Sequence, residues 1–237
     1  MKILNVTNNM NPLYGGTTTT VENTLIASAQ NKKNSIELIV PIDSSIPFKS
    51  NINKKINQLK KNEILVNTKP NISFFNHVAE KYGLSFSLIF WMIKNIKNYN
   101  VIHCHGCWSL STLIAILLGN IYKIPLVLSP HETLTDYDIS TSSNLLTFYL
   151  KKKLKGFISK NVNIIVFSSK LELDESKKIP LQKKIFIYHP IISFNQKSKF
   201  DKKINSKKII IGFLGRLHHK KNIAILIKSM IYLPDNY

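Results

Sequence analysis

Short apolar runs rich in β-branched residues recur along the chain at 3–6, 36–42, 101–104, 126–128, 164–167, 185–188 and 209–214, each bounded by turn-forming residues. Between several of them the apolar positions spread to a spacing of three and four, at 18–30, 86–95, 110–122, 144–159 and 170–178. The first pattern predicts strands and the second helices. Strands alternating with helices predict an α/β fold with a parallel sheet, because parallel neighbours need a long crossover connection. Several of the strands are apolar on both faces, as in a sheet covered by helices on both sides.

Two polar stretches interrupt this rhythm. Residues 49–76 are rich in Lys and Asn and lack clear periodicity, which predicts a lid or a connection. Residues 193–208 are also polar and predict a linker between a first domain, 1–192, and a second segment, 209–237. That second segment holds one predicted strand, 209–214, and one predicted helix, about 221–233. A lone strand and helix cannot bury their apolar faces, so the segment is expected to lean on the first domain or to be partly loose.

Composition adds charge to this picture. The 237 residues carry a formal net charge of +20, and Arg216 is the only arginine. Such a chain attracts phosphates, anionic lipid or nucleic acid. Lys, Asn and Ile also share AT-rich codons, so nucleotide bias accounts for the charge equally well. The basic residues are not gathered with interleaved aromatics, and no nucleic-acid partner is predicted. Cys104 and Cys107 are the only cysteines, which indicates no disulfide framework and fits a reducing cytoplasm. The start of the chain turns polar at Thr7, Asn8 and Asn9, unlike a signal peptide, and no apolar run approaches the roughly 20 residues needed to span a bilayer. The apolar helix at 86–93, with the basic charge, predicts at most peripheral contact with an anionic membrane at its inner face. A basic membrane-surface module without catalysis is the alternative function.

Candidate chemistry gathers at strand ends. Gly15 and Gly16 follow the first strand, where adjacent glycines let backbone amides approach a ligand; a tight turn capped by Thr17 or Thr18 explains them as well. The spacing is not the G-x-G-x-x-G dinucleotide fingerprint. His103 and His105 fall on one face of the strand at 101–104, and Cys104 on the other. That alternation scatters the His/Cys cluster and argues against zinc. His105, at a strand's carboxyl end, suits polar work better than core packing. His131 and Glu132 stand at the equivalent edge of the next strand, as turn residues or as ligand contacts. Near the end of the chain Gly215 is followed by Arg216 and Lys221; Arg can grip a diphosphate bidentately, and Lys can neutralise a leaving phosphate.

The segments MKILNVTNNMNPLYGG, VIHCHGCWSLSTL, PLVLSPHETL, FSSKLELDE and IGFLGRLHHKKN, in this order and spacing, resemble the amino-terminal part of glycosyltransferase family 4. The resemblance covers nearly the whole chain apart from 49–76. It implies the GT-B architecture: a Rossmann-like acceptor-side domain, then the first strand and helix of a second Rossmann-like domain for the donor. It also implies retaining transfer of a hexose-type sugar from a nucleotide-diphosphate sugar to a lipid-linked or saccharide acceptor, with no metal and no cofactor beyond the donor substrate. The His-Gly-x-Trp-Ser stretch is similar to that of transferases building bacterial surface polysaccharides. By the same resemblance Gly16, with Gly15, lies against the donor phosphate or its sugar, and His105 near the reacting sugar. Gly215, Arg216 and Lys221 hold the donor diphosphate and stabilise its departure, and His131 and Glu132 lie at the acceptor. Three departures stand out: Asn222 and Glu132 occupy positions usually held by Gly, and the family's paired glutamates would fall beyond Tyr237. The expectation is a chain lacking most of its donor domain, with little transferase activity by itself.

Overall fold

The computed structural model describes residues 1–10, 16–29, 33–42, 71–76, 84–187, 211–215, 217 and 221–233. They divide into two compact units, Met1–Asn195 and Gln196–Tyr237. In the first unit seven strands are described: β1 (Lys2–Thr7), β2 (Ser35–Ile42), β3 (Asn71–Asn76), β4 (Val101–His105), β5 (Leu126–Ser129), β6 (Ile164–Phe167) and β7 (Lys184–Phe186). Its helices are α1 (Gly16–Ala29), α2 (Phe86–Asn95), α3 (Leu110–Ile121), α4 (Asp136–Ser140), α5 (Leu145–Asn161) and α6 (Lys170–Glu175). The strands form one sheet in the order β3-β2-β1-β4-β5-β6-β7, and every adjacent pair runs parallel. This is the predicted Rossmann-like α/β sheet.

Strand β1 lies inside the sheet, between β2 and β4. Leu4 and Val6 are fully buried, Asn5 and Thr7 nearly so, because both faces of the strand are covered. Around it Ile39, Ile102, Cys104, Leu128, Ile165 and Phe167 join Leu88, Met92 and Ile116 of the helices in one core. The helix starts are set locally. Ser85, Ser109, Thr135, Asn144 and Ser169 each accept a hydrogen bond from the backbone N–H three residues on, satisfying amides that the first turn leaves orphaned.

Two elements depart from the sequence reading. Strand β3 lies inside the stretch read as a lid; it pairs with β2 from Glu37↔Asn71 to Ile42↔Asn76, and the tertiary partner overrides a weak local signal. Helix α4 lies in a segment for which no element was predicted; a single helical turn and a half shows no usable periodicity. In the second unit, residues 211–214 form no strand, whereas 209–210 and the predicted linker lie outside the described residues. A β ladder needs a neighbour, and none is present among the described residues. Helix α7 (Ile223–Ser229) buries no residue, as expected of a segment that cannot build its own core.

Helix α3 sits close to the sheet because residue 119 has no side chain. A Cβ on Gly119 would lie 2.8 Å from Leu126 Cδ2 and 3.1 Å from Ile102 Cδ1. Gly119→Ala gains about 1 kcal/mol of helix propensity but overpacks the core at a cost of about 1–3 kcal/mol. The expected net result is a lower urea midpoint, with a larger drop for Gly119→Val.

Candidate functional site

The order of the sheet reverses beside β1, which pairs with β2 on one side and β4 on the other. In an open α/β sheet ligands enter at the carboxyl ends of the strands at such a switch point. Thr7 of β1 is in register with His105 of β4, and His105 with Ser129 of β5. The residues that follow these strand ends make up the candidate site.

Its centre is a chain of hydrogen bonds built on Asn5. The amide Nδ2 of Asn5 donates to the carbonyl of Glu37 at 3.3 Å, which turns its Oδ1 toward His105 Nε2 at 3.2 Å. An amide oxygen can only accept, so His105 carries its proton on Nε2. Its Nδ1 lies 3.4 Å from His131 Nε2, and the two rings stack at 5.6 Å. His105 is 2% exposed. Beneath it the His103 ring lies 4.1 Å away, with Nε2 2.9 Å from Ser129 Oγ. Burial pushes the His103 pKa down from 6.5 to about 4, so this ring is neutral at pH 7. Asn8, just past the end of β1, holds a buried Oδ1 that has no hydrogen-bond partner among the described residues.

The loop after β4 explains each residue of the stretch 105–109. Gly106 adopts φ +77° and its N–H donates to the Ser129 carbonyl at 2.9 Å, tying β4 to β5. Cys107 Sγ lies 2.7 Å from Thr133 Oγ1. Thr133 already gives its own proton to the Pro130 carbonyl at 2.6 Å, so the thiol is the donor. Burial raises the pKa of Cys107, and that of Cys104 to about 12; both are buried, neutral thiols unsuited to nucleophilic work. The indole of Trp108 donates to Asp138 at 3.4 Å, and Lys151 bonds the same carboxylate at 2.8 Å while lying over the Trp108 ring. Ser109 caps α3.

His131 and Glu132 both adopt left-handed backbone, φ 53° and 69°. Neither is Gly, and for L-residues this conformation costs on the order of 1–2 kcal/mol each. The second position, where Glu replaces the expected Gly, is held by Glu172. One oxygen of that carboxylate accepts the Glu132 N–H at 2.6 Å; the other accepts the N–H and the hydroxyl of Ser168, both at 3.0 Å. Glu172 is only 3% exposed. Glu172 went unassigned in the sequence reading, although a carboxylate in the first turn of a helix start, three residues after its Ser169 cap, was a visible signal.

The structure therefore brings His105, His131 and Glu132 together at the edges of β4 and β5. His103 and His105 share a face, and Cys104 points into the core, as the alternation predicts. Gly16 begins α1, and a Cβ there would meet nothing within 4 Å, so no packing among the described residues demands a glycine. In the second unit Gly215 and Lys221 are exposed, and Asn222 adopts φ 47°, a left-handed angle that explains why Gly is usual there. Gly15 and Arg216 lie outside the described residues. Among the described residues no group of three or more His, Cys, Asp or Glu could hold a metal ion.

The model of glycosyltransferase family 4 matches residues 14–194. Among solved structures, that of Anabaena HepE (Alr3699), in complex with UDP and glucose, has a similar fold with a TM-score of 0.61 at 16% sequence identity. The match covers 100% of this chain and 59% of HepE, so the chain spans less than two thirds of that protein's length. A search of the curated proteins finds no match.

Replacing Glu172 with Ala is expected to lower stability by about 1–3 kcal/mol, the cost of leaving buried donors unpaired. Glu132→Gly is expected to raise it by about 1 kcal/mol by relieving the left-handed strain; urea denaturation measures both. The His103 pKa sets a pH dependence. It lies below the unfolded value of 6.5, so its contribution is complete above pH 6.5 and is lost as pH falls toward 4, where only the unfolded chain takes up the proton. The loss is on the order of 3 kcal/mol. His103→Gln should remove this component from a plot of stability against pH.

Proposed function

The chain belongs to glycosyltransferase family 4, and from that premise we propose that it forms the acceptor side of an enzyme that transfers a hexose from a nucleotide-diphosphate sugar. The acceptor in this reading is lipid-linked or a saccharide, the configuration at the sugar is retained, and the product feeds surface polysaccharide. The observation that carries the reading is the buried His105 at the switch point, its proton directed to Asn5 and its other nitrogen toward His131.

The chemistry asks two things of the protein. Positive charge builds on the sugar ring as the bond to the diphosphate breaks, and a cation beside the ring would oppose it. Asn5 is uncharged and holds His105 through its Nε2–H while His131 meets its Nδ1, so the ring is fixed in orientation at the strand end. Negative charge builds on the leaving diphosphate, and Arg216 and Lys221, following Gly215 in the sequence, would stabilise it. His131 and Glu132 would meet the acceptor. Transfer by this route needs no metal and no cofactor.

Incubation with a panel of nucleotide sugars and with lipid-phosphate and saccharide acceptors tests the reading. Binding of a nucleotide sugar is expected, weakened in Lys221→Ala and in His105→Ala, and what little transfer the chain supports by itself is expected to retain configuration and to fall about 10²-fold or more in Lys221→Ala. Neither binding nor transfer with any donor in the panel would contradict it.

A further inference from the structure

Helices α2, α3 and α5 pack side by side, with α3 between the other two. Each buries one face and leaves apolar side chains on another. In α2, Leu88 and Met92 go into the core while Phe86, Phe90 and Ile93, spaced by four and three, stay exposed, Phe90 at 65%. In α3, Leu117 and Ile121 repeat that spacing on the outside. The first turns of α5 expose Leu145, Leu146, Tyr149 and Leu150, with Leu145 at 76%. Single exposed apolar residues are ordinary, but stripes on three adjacent helices are not.

The charge on this layer has one sign. None of the three helices contains an Asp or Glu, and α5 carries lysines 151, 152, 153, 155 and 160. Two acids of α4 reach α5 and are already used: Asp138 bonds Lys151 and Asp136 bonds Lys155. Lys152 and Lys153 are exposed, and no carboxylate pairs with them among the described residues. We infer that the outer face of α2, α3 and α5 docks on the surface of an anionic bilayer.

Such a surface offers both things the layer lacks, negative headgroups for the lysines and an apolar interior for Phe90 and Leu145. A second copy of the chain is a poor occupant, since it would bring an acid-free face and a net charge of +20 against its equal. No described helix is long and apolar enough to cross a membrane, so the contact lies in the plane of the interface. The sequence reading assigned this role to residues 86–93 alone; the structure extends it to three helices. The inference holds whatever sugar is transferred, because none of these side chains belongs to the candidate site.

Vesicle sedimentation tests it on the full chain, with phosphatidylglycerol mixed into phosphatidylcholine and with phosphatidylcholine alone. Binding is expected only to the anionic vesicles, weakening as salt is raised. Phe90→Ser with Leu146→Ser should cut the bound fraction about tenfold at an unchanged urea midpoint, and Lys152→Gln with Lys153→Gln should flatten the salt dependence. Leu171→Ser and Leu181→Ser, exposed apolar positions outside the layer, should bind as the parent does. Equal binding to both vesicle types, or parental binding by the layer variants, would overturn the inference, as would a dimer in light scattering that the layer variants disperse.

Discussion

Everything at the candidate site depends on β1 being paired on both sides in parallel. With β2 on one edge and β4 on the other, the chain leaving β1 proceeds to one side of the sheet and the chain leaving β4 to the other, and a ligand crevice opens between such strand ends. Burial on both faces forces polar side chains on β1 to find partners inside the protein. Asn5 does so twice, with the Glu37 carbonyl and with His105. The orientation of the catalytic candidate therefore follows from the backbone of a neighbouring strand, and a one-residue slip of β2 would release it.

The second wall of the crevice rests on a strained turn. His131 and Glu132 hold angles that glycine would adopt freely, and the buried carboxylate of Glu172, reaching from α6, supplies the hydrogen bond that keeps the second of them there. A charged acceptor of this kind makes stronger bonds than a neutral one. Where the family uses a flexible residue, this chain uses a side chain and an external clamp. The result is a turn that sets the His131 ring against His105 while leaving the Glu132 side chain facing solvent.

Much of this was legible in the sequence. Largely apolar runs marked β1, β2, β4, β5 and β6, since strands covered on both faces are mostly apolar; period-two alternation placed His103 and His105 together and sent Cys104 into the core. Strand β3 was not legible, because its stability comes from pairing with β2 and not from its own pattern. The clamp at Glu172 was missed for a related reason: its partner is forty residues away, and only the fold brings a helix start to that turn. The apolar stripe on α2 could be read locally, but its continuation onto α3 and α5 depends on how those helices lie beside one another.

The central claim is that the switch point presents to a sugar nucleotide a His105 whose Nε2–H is held by Asn5. Long-range proton–nitrogen correlation NMR of the histidine-labelled chain measures that directly. The account predicts a proton on Nε2 of His105 at pH 7, bonded to Asn5 and no longer so in Asn5→Leu, with resonances that move when a sugar nucleotide is added. An Nδ1–H tautomer with a bare Nε2, or a His105 signal indifferent to every sugar nucleotide tried, would contradict it.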